Sequence, residues 1–529
     1  MTTAAVYGIL ALSLNPVLGG AGMLSMCQLT FAAAGAATMG ALGGRIPFLV
    51  AVLAAALSAV PLGLLVGAIS MRLRGMSFAA ASLGLAVAGQ VAIGHLALPG
   101  FQSTASVALP APLDSTRGYL LFVLIGFALV SVLVAWLRSS RLGRTWSITQ
   151  FSERAAAATG ISVPGAKLTA TAVGAAIAGF GGALMVGQYG FITADAVAPI
   201  NGLVLLVVAM IAGLGSVAGA WIAGLLFVII PWLLTSVGLP SDIATILFGL
   251  AAVQVLATGG DGIVGQLRAL AAKRRRQRGS PAALELALLD ALRPSGRRNG
   301  PSLSLHVSEL TVDFGAVRAL DGVTIDIAPG TVTGLLGPNG AGKSTLIDTI
   351  SGFVLQRSGT VTLDERIDGL SVRSRANAGV RRTFQQSRIP RDLTVAQYLE
   401  LCSGGAGWTR GHNLGAMGRV RVDELDIPAR RIVEVAGAFC VDPRVVLLDE
   451  PAAGLSETDS RVLGSAIQQL AARLGTAVLL VEHDVEMVRA CCDLVYVLDF
   501  GRVIGRGAPA EVLSRPEVVA AYLGEEPHE

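Results

Sequence analysis

A glycine-rich run in the second half of the chain carries residue types that bind phosphate. It comprises Gly337, Pro338, Asn339, Gly340, Ala341, Gly342, Lys343, Ser344 and Thr345, directly after the strand-like apolar run Val332–Leu336. Glycines allow backbone N–H groups to close around a β-phosphate at the start of the following helix. We expect Lys343 to reach the β- and γ-phosphates and the Ser344 hydroxyl to bind Mg²⁺. The run therefore predicts a site for a nucleoside triphosphate with Mg²⁺.

A second apolar run ends in two carboxylates. Val445–Leu448 leads directly into Asp449 and Glu450. Asp449 is placed to hold Mg²⁺, and Glu450 is placed to polarise the attacking water. A solvated strand end is the alternative interpretation, but a buried strand followed by Pro451 favours the catalytic one.

A third apolar run, Ala477–Val481, continues into Glu482, His483 and Asp484. A single histidine is more often structural than functional. Because His483 follows a strand that comes after the other two motifs, its best interpretation is a switch that senses the γ-phosphate. The motifs alternate apolar strands with helical patterns, which is typical of an α/β nucleotide domain.

The elements before residue 259 have a different composition. The whole chain is 53% hydrophobic with a mean hydropathy of +0.65, and only four acidic residues precede Gly259. Such a composition excludes an ordinary soluble enzyme and predicts a segment inside the lipid bilayer. The basic cluster at 273–278 follows the last apolar segment, which favours a membrane flank over a nucleic-acid site. The five cysteines lack paired or metal-ligand spacing, so we expect reduced thiols.

Apolar stretches fall at 4–19, 28–44, 47–70, 78–98, 119–137, 167–189, 201–215, 216–236 and 241–258. Several are long enough to cross about 30 Å of hydrocarbon as a helix, so eight or nine spans are predicted. Arginines concentrate in the loop after the fifth stretch, which places that loop in the cytoplasm. Counting onward places the nucleotide domain in the cytoplasm too. The predicted domains are a transmembrane domain at 1–258, a cytoplasmic linker at 259–303 and a nucleotide-binding domain at 304–529.

The nucleotide motifs resemble those of a known family. Gln385 within Arg382-Thr383-Phe384-Gln385-Gln386, the run Asp449–Leu455 and His483 are similar to the Q-loop, the Walker B motif with D-loop, and the H-loop of ABC transporter ATPases. The resemblance covers about 305–525 and is closest to the ATPases of branched-chain amino acid importers. It implies ATP and Mg²⁺ as cofactors, catalytic roles for Gln385, Glu450 and His483, and adenine stacking on Phe314. It also implies that Mg²⁺ is held by Ser344, Gln385 and Asp449.

The first half independently resembles the permease of the same importers. Its landmarks are Leu14–Gly22, Leu73–Gly75, Arg141–Arg144 and Gly213–Ala220. The run Glu153–Gly160 resembles the coupling helix that docks on an ATPase, although an exposed Ala-rich helix is the alternative. The implied fold class is a polytopic α-helical membrane domain followed by an α/β P-loop ABC ATPase domain.

One motif departs from the family pattern. The family carries a Leu-Ser-Gly-Gly-Gln signature before Walker B, and this position aligns with Leu425-Asp426-Ile427-Pro428-Ala429. Asp426 adds negative charge where a γ-phosphate would bind, and Pro428 removes an N–H. The run Leu401–Ala406, which contains Ser-Gly-Gly, is an alternative signature but lies much farther upstream.

Together the two resemblances imply a fused permease and ATPase subunit of an ABC importer, multi-pass in the cell membrane. ATP binding and hydrolysis would drive uptake of branched-chain or hydrophobic amino acids, or related small molecules. The implied partners are a second permease, a second ABC ATPase with an intact signature, and an extracytoplasmic substrate-binding protein; no nucleic acid is expected. The alternatives are a homodimeric half-transporter of the exporter type and a membrane-tethered ABC ATPase without a transport role.

Overall fold

The chain forms two compact units. The computed structural model describes residues 1–96, 98–101, 107, 109–257, 262–273, 303–386, 388–405, 414 and 417–523. The membrane unit consists of Met1–Gln150 and Val163–Arg278, and the nucleotide unit consists of Phe151–Ser162 and Gly279–Glu529. The short segment Phe151–Ser162, which interrupts the membrane unit in sequence, thus groups with the nucleotide unit.

Thirteen helices precede the nucleotide sheets in the described part of the chain. They are α1 (Thr2–Val17), α2 (Gln28–Leu42), α3 (Phe48–Ser58), α4 (Val60–Arg72), α5 (Gly75–His95), α6 (Thr116–Ser139), α7 (Arg141–Phe151), α8 (Glu153–Ala158), α9 (Val163–Tyr189), α10 (Pro199–Ala212), α11 (Val217–Ser236), α12 (Ile243–Ala257) and α13 (Gly262–Lys273). Each of the nine predicted apolar stretches overlaps at least one of these helices.

Five helical segments of the described residues are long and apolar enough to cross a membrane. They are Phe48–Arg72, Gly75–His95, Thr116–Ser139, Val163–Tyr189 and Val217–Ser236, and three shorter apolar helices accompany them at Thr2–Val17, Pro199–Ala212 and Ile243–Val255. A polytopic membrane domain is therefore confirmed. The count of eight or nine spans stays a prediction.

Helix α9 lies at the centre of the membrane unit. Its apolar window is 72% buried, whereas the other four long segments are 22–33% buried. Glycines let neighbouring helices approach it closely: a Cβ on Gly182 would lie 1.9 Å from the Ala32 carbonyl oxygen of α2. Small residues at such crossings are how membrane helices bring their backbones into contact. The core of this unit therefore forms around one glycine-rich helix.

Two landmarks of the membrane half meet in space. Gly213 ends α10 in a left-handed conformation, and the Ser216 hydroxyl caps α11 by accepting the Gly219 N–H at 2.9 Å. The side-chain oxygen of Asn15 accepts the Gly215 N–H at 2.9 Å. The side chain of Asn15 therefore fixes the break between two helices.

The predicted linker at 259–303 includes helix α13, which belongs to the membrane unit. The rest of that linker, residues 259–261 and 274–302, lies outside the described residues. The predicted domain boundaries stay predictions.

The nucleotide unit contains two sheets. One is antiparallel in the order β2-β1-β4-β5, and the other has the order β10-β9-β3-β8-β7-β6. The strands are β1 (Leu305–Phe314), β2 (Val317–Ile327), β3 (Val332–Leu336), β4 (Ser358–Leu363), β5 (Glu365–Arg366), β6 (Val380–Arg382), β7 (Val445–Asp449), β8 (Ala477–Val481), β9 (Leu494–Asp499) and β10 (Arg502–Gly507).

The helices of this unit are α14 (Lys343–Ser351), α15 (Val372–Asn377), α16 (Val395–Cys402), α17 (Ile427–Phe439), α18 (Glu457–Leu474), α19 (Val485–Cys491), α20 (Pro509–Val512) and α21 (Pro516–Leu523), together with α8. Every residue of β3, β7 and β8 is buried. Strands that are apolar throughout are typical of parallel sheets covered on both faces. The predicted α/β domain is confirmed.

Candidate nucleotide site

The strand order brings the predicted motifs to one edge of the large sheet. Strand β8 pairs in parallel with both β3 and β7, and β7 pairs in parallel with β6. The carboxyl ends of parallel strands meet at the same edge, where α/β proteins bind ligands. The phosphate-binding loop follows β3, Asp449 ends β7, and Gln385 and His483 follow β6 and β8. Four separated sequence motifs therefore converge.

The loop from Gly337 to Gly342 requires glycine at its end, and the Lys343 side chain bonds across it. Gly342 has φ of 102° and precedes α14 without any side-chain cap, and a Cβ there would lie 2.6 Å from the Ala319 carbonyl oxygen. The ammonium of Lys343 donates to the carbonyl oxygens of Gly337, at 2.6 Å, and Pro338, at 2.7 Å. Burial lowers the pKa of Lys343, although Glu450 and Asp449 oppose that shift. No side chain caps the first amide groups of α14, so these N–H groups are available to a phosphate.

Two of the three predicted catalytic side chains, Gln385 and His483, contact the third, Glu450. Gln385 donates through Nε2 to Glu450 Oε2 at 2.8 Å, and His483 Nε2 lies 2.9 Å from Glu450 Oε1. Glu450 has a positive φ of 48° and its backbone N–H donates to Val481 of β8 at 2.9 Å. The Glu450 carboxylate is therefore held on both oxygens and fixed to the neighbouring strand. A carboxylate positioned in this way suits activation of a water molecule.

The Asp449 carboxylate is buried beside an arginine. Burial raises the pKa of Asp449, and Arg382, whose Nη2 lies 3.3 Å from Asp449 Oδ2, opposes that shift. Ser344 is exposed at the first turn of α14. Since Gln385 uses Nε2 for Glu450, its carbonyl Oε1 is left for another partner. Hydroxyl, carboxylate and amide oxygens are the ligand types that Mg²⁺ prefers, so this donor set fits that ion.

Comparisons with known proteins agree over both halves. Residues 1–256 match the family model described as branched-chain amino acid transport system / permease component, 320–453 match ABC transporter, and 502–528 match branched-chain amino acid ATP-binding cassette transporter. The branched-chain amino acid transport ATP-binding protein LivG of Escherichia coli K12 is 32% identical over 42% of this chain and 98% of its own length. The chain belongs to the branched-chain amino acid ABC transporter family.

Further proteins are similar to the second half of the chain. LivG of Salmonella typhimurium and BraF of Pseudomonas aeruginosa are each 32% identical over 42% of this chain and 98% of their own length. An ATP-binding cassette of an ABC transporter, solved in its ADP conformation, is 29% identical over 42% of this chain and 100% of its own, with a TM-score of 0.39. This member of the family joins a permease and a nucleotide-binding ABC ATPase in one chain, and its ATP hydrolysis is coupled to transport.

Phe314 lies at the tip of the β1–β2 hairpin of this family member. The residue is 52% exposed, and it pairs in register with Val317. The same hairpin carries Ala319, whose carbonyl oxygen lies against Gly342 of the phosphate-binding loop. The hairpin that carries the exposed Phe314 is therefore packed on the loop.

The run Leu425–Ala429, which departs from the family's signature pattern, includes the N-cap of α17. Asp426 is the N-cap of α17, and its Oδ1 accepts the Ala429 N–H at 3.0 Å, while Pro428 occupies the first turn. The alternative run containing Ser403 and Gly404 lies at the C-terminal end of α16, where Ser403 donates to the Glu400 carbonyl oxygen at 3.0 Å. A helix C-terminus carries partial negative charge and does not attract phosphate.

The segment Phe151–Ser162 contains the helix α8, which resembles a coupling helix. Ser152 caps it by accepting the Ala155 N–H at 3.2 Å. Ala155 and Ala158 pack against Phe384, the residue before Gln385. The Ser152 hydroxyl also accepts a hydrogen bond from Arg388 at 2.8 Å. This segment therefore touches both sides of the Q-loop residue.

Two further residues near the site were not singled out from the sequence. Glu482 is buried, and its two oxygens accept the N–H groups of Ala452 at 2.7 Å and His483 at 3.1 Å. Burial raises the pKa of Glu482. Arg431 of α17 donates to the carbonyl oxygens of Phe384, at 3.1 Å, and Gln385. The sequence offered one signal for Glu482, since it directly follows an apolar strand. No sequence pattern pointed to Arg431.

Proposed function

We propose that this chain is one half of an asymmetric importer for branched-chain or related hydrophobic amino acids. The permease family model over residues 1–256 and the names of the LivG and BraF relatives support that substrate class. The importer type of permease also weighs against a homodimeric exporter and against an ATPase without a transport role. An extracytoplasmic binding protein would deliver the solute, and the ATPase domain would lie in the cytoplasm.

The asymmetry is inferred from the N-terminus of α17, which is capped by the Asp426 side chain. In this family each ATP is sandwiched between one subunit's phosphate-binding loop and the other subunit's signature. Here the Asp426 carboxylate accepts the Ala429 N–H at 3.0 Å, so an amide that would face the γ-phosphate is satisfied and a like charge opposes the ligand. A homodimer would place this signature in both sites. The partners are therefore a second permease and a second ABC ATPase with an intact signature.

The site formed by this chain's loop would be the competent one. Glu450 takes a proton from the attacking water, Gln385 and His483 orient the Glu450 carboxylate, and Lys343 binds the phosphates. Phe314 stacks on the adenine, and residues 337–345 enclose the phosphates. Ser344, Gln385 and Asp449 would hold Mg²⁺, which when bound neutralises charge on the phosphate oxygens. We retain domains at 1–258, 259–303 and 304–529, and eight or nine spans, as part of the proposal.

ATPase activity of the assembled and isolated chain tests the asymmetry. The full chain is purified in detergent, alone and with a permease, an ABC ATPase with an intact signature and a binding protein of the same family. We expect almost no hydrolysis by the chain alone, and activity on assembly that is lost in Glu450→Gln. Strong activity of the chain alone would overturn the asymmetric importer and favour a homodimer. Uptake of labelled leucine into proteoliposomes, against labelled urea as control, tests the substrate class.

A further inference from the structure

A row of four alternating charges runs inside the nucleotide unit from helix α8 to Asp449. Arg154 of α8 lies 2.8 Å from one oxygen of Asp348, and Arg382 binds the other oxygen of Asp348. The second terminal nitrogen of Arg382 lies 3.3 Å from Asp449 Oδ2. We propose that Arg382 and Asp348 are positioning residues that link the state of α8 to the metal affinity of Asp449. This inference rests on the proposed role of Asp449 as a Mg²⁺ ligand.

The row is most exposed at its α8 end and most buried at Arg382, next to Asp449. The side chain of Arg154 is 44% exposed, that of Asp348 18%, that of Asp449 10% and that of Arg382 4%. Charges interact more strongly where water is excluded, and a buried charge that loses its partner is costly. Arg382 therefore must divide its donors between the two carboxylates, and a change at one carboxylate is felt at the other.

The shape of the Arg382 guanidinium suits this division. One terminal nitrogen serves Asp348 and also donates to the Ser351 hydroxyl at 3.0 Å, and the other terminal nitrogen serves Asp449. A planar fork with fixed donor directions bridges two acceptors in a way that a lysine ammonium does not. Arg382 is thus built to connect α14 with the end of β7.

Two aromatic rings hold the arginines in place. The guanidinium carbon of Arg154 lies 4.5 Å from the Phe353 ring centroid, and that of Arg382 lies 4.9 Å from the Phe384 centroid. The two rings meet edge to face with centroids 6.1 Å apart. Cation–π contacts restrain both side chains. The row therefore has a defined geometry, and it reaches Asp449 without passing through Gln385.

The row predicts the sign of each effect. A divalent cation at Asp449 repels Arg382, so the cation binds better when Asp348 holds Arg382 more firmly. Arg154 competes with Arg382 for Asp348. Removal of Arg154 should therefore strengthen divalent-ion binding, and removal of the Asp348 charge should weaken it. Once Asp348 is neutral, Arg154 no longer competes for its carboxylate. Removal of Arg154 should then leave the divalent-ion affinity unchanged.

Mn²⁺ binding to the full chain in detergent tests the row directly. Bound Mn²⁺ is counted by electron paramagnetic resonance with a non-hydrolysable ATP analogue, in wild type, Arg154→Gln, Asp348→Asn and the double variant. We expect the Mn²⁺ Kd to rise about threefold to tenfold in Asp348→Asn and to fall about twofold to fivefold in Arg154→Gln. The double variant should match Asp348→Asn alone.

Arg373→Gln is the matched control, because Arg373 also contacts the α8 segment, donating to the Gly160 carbonyl oxygen at 3.1 Å, but lies outside the row. Its Kd should equal that of the wild type. An equal effect of Arg154→Gln in both backgrounds, or of Arg373→Gln and Arg154→Gln, would overturn the proposal. Asp449→Asn separates the two hypotheses: Mn²⁺ binding unchanged in that variant would refute the metal site in the proposed function instead.

Discussion

Helices α14 and α17 begin in opposite ways, although the proposed function places a phosphate at the N-terminus of each. Gly342 precedes α14 without a side-chain cap, and Lys343 is the first residue of the helix. Asp426 precedes α17 and satisfies the Ala429 N–H with its own carboxylate. The N-terminus of a helix attracts anions only while its amides and positive partial charge are available. One helix is therefore open to an external phosphate, and the other is occupied by its own side chain.

The difference shows that a helix N-terminus has two incompatible uses. A carboxylate cap stabilises the helix, and the same carboxylate excludes a phosphate. In this chain the phosphate-binding loop remains open while the signature position gains a stabilising cap. The following predictions test whether that division holds.

The largest effect is expected from Glu450→Gln in the assembled transporter. The amide keeps the shape of the side chain but does not accept a proton from water, so hydrolysis should fall by about 10²- to 10⁴-fold while ATP still binds. Phosphate release measures the rate, and a fluorescent nucleotide measures binding. Glu457→Gln, at an exposed carboxylate seven residues later, should leave both unchanged. Substantial hydrolysis in Glu450→Gln would show that the site with the Asp426 cap is also active, and the comparison would fail.

Opening α17 should restore activity to the isolated chain. Replacing Asp426-Ile427-Pro428-Ala429 by Ser-Gly-Gly-Gln removes the like charge and returns backbone donors, so ATPase activity of the chain alone should rise at least about tenfold. Asp423→Asn, a charge removed nearby from an exposed pair with Arg421, is the control and should have no effect. No gain in the repaired chain would mean that a feature other than α17 limits the second site.

Phe314→Ala should weaken ATP binding only at the site formed by this chain's own phosphate-binding loop. Loss of aromatic stacking on a base costs about 1–3 kcal/mol, which corresponds to a rise in Kd of about 5- to 150-fold. The neighbouring variant Val317→Ala removes a comparable exposed apolar side chain from the same hairpin and should bind ATP normally. Nucleotide titration of the full chain distinguishes the two. Equal losses would assign the effect to the hairpin and not to stacking.

The smallest effect should be on stability. Asp426→Ala removes the cap of α17 and should cost about 1 kcal/mol. For a unit of this size the Tm would fall by roughly 2–4 °C, measured by scanning fluorimetry. Asp426→Asn retains an accepting oxygen and should stay close to wild type. If the alanine variant were as stable as wild type, the carboxylate would not serve as a cap.

The sequence by itself determined the two halves and proposed most of the candidate site residues. Composition separates the membrane helices from the nucleotide unit, and residue type and spacing predict Lys343, Asp449, Glu450 and His483 as site residues. These signals are local, since a glycine-rich loop or a buried strand that ends in carboxylates is encoded by consecutive residues. The same locality explains why the sequence alone could predict Asp426 as an obstacle to phosphate, without knowledge of its cap.

Tertiary structure alone decided which side chains surround that chemistry. Arg154 and Asp348 are separated by 194 positions, and Arg431 is 46 positions from the Gln385 carbonyl oxygen that it binds. No local pattern joins such residues, because contact between them depends on strand order and on the grouping of Phe151–Ser162 with the nucleotide unit. The position of Ser403 at a helix C-terminus likewise followed from the fold. Partial charge at a helix end depends on where the helix begins and ends, and only the folded chain fixes that.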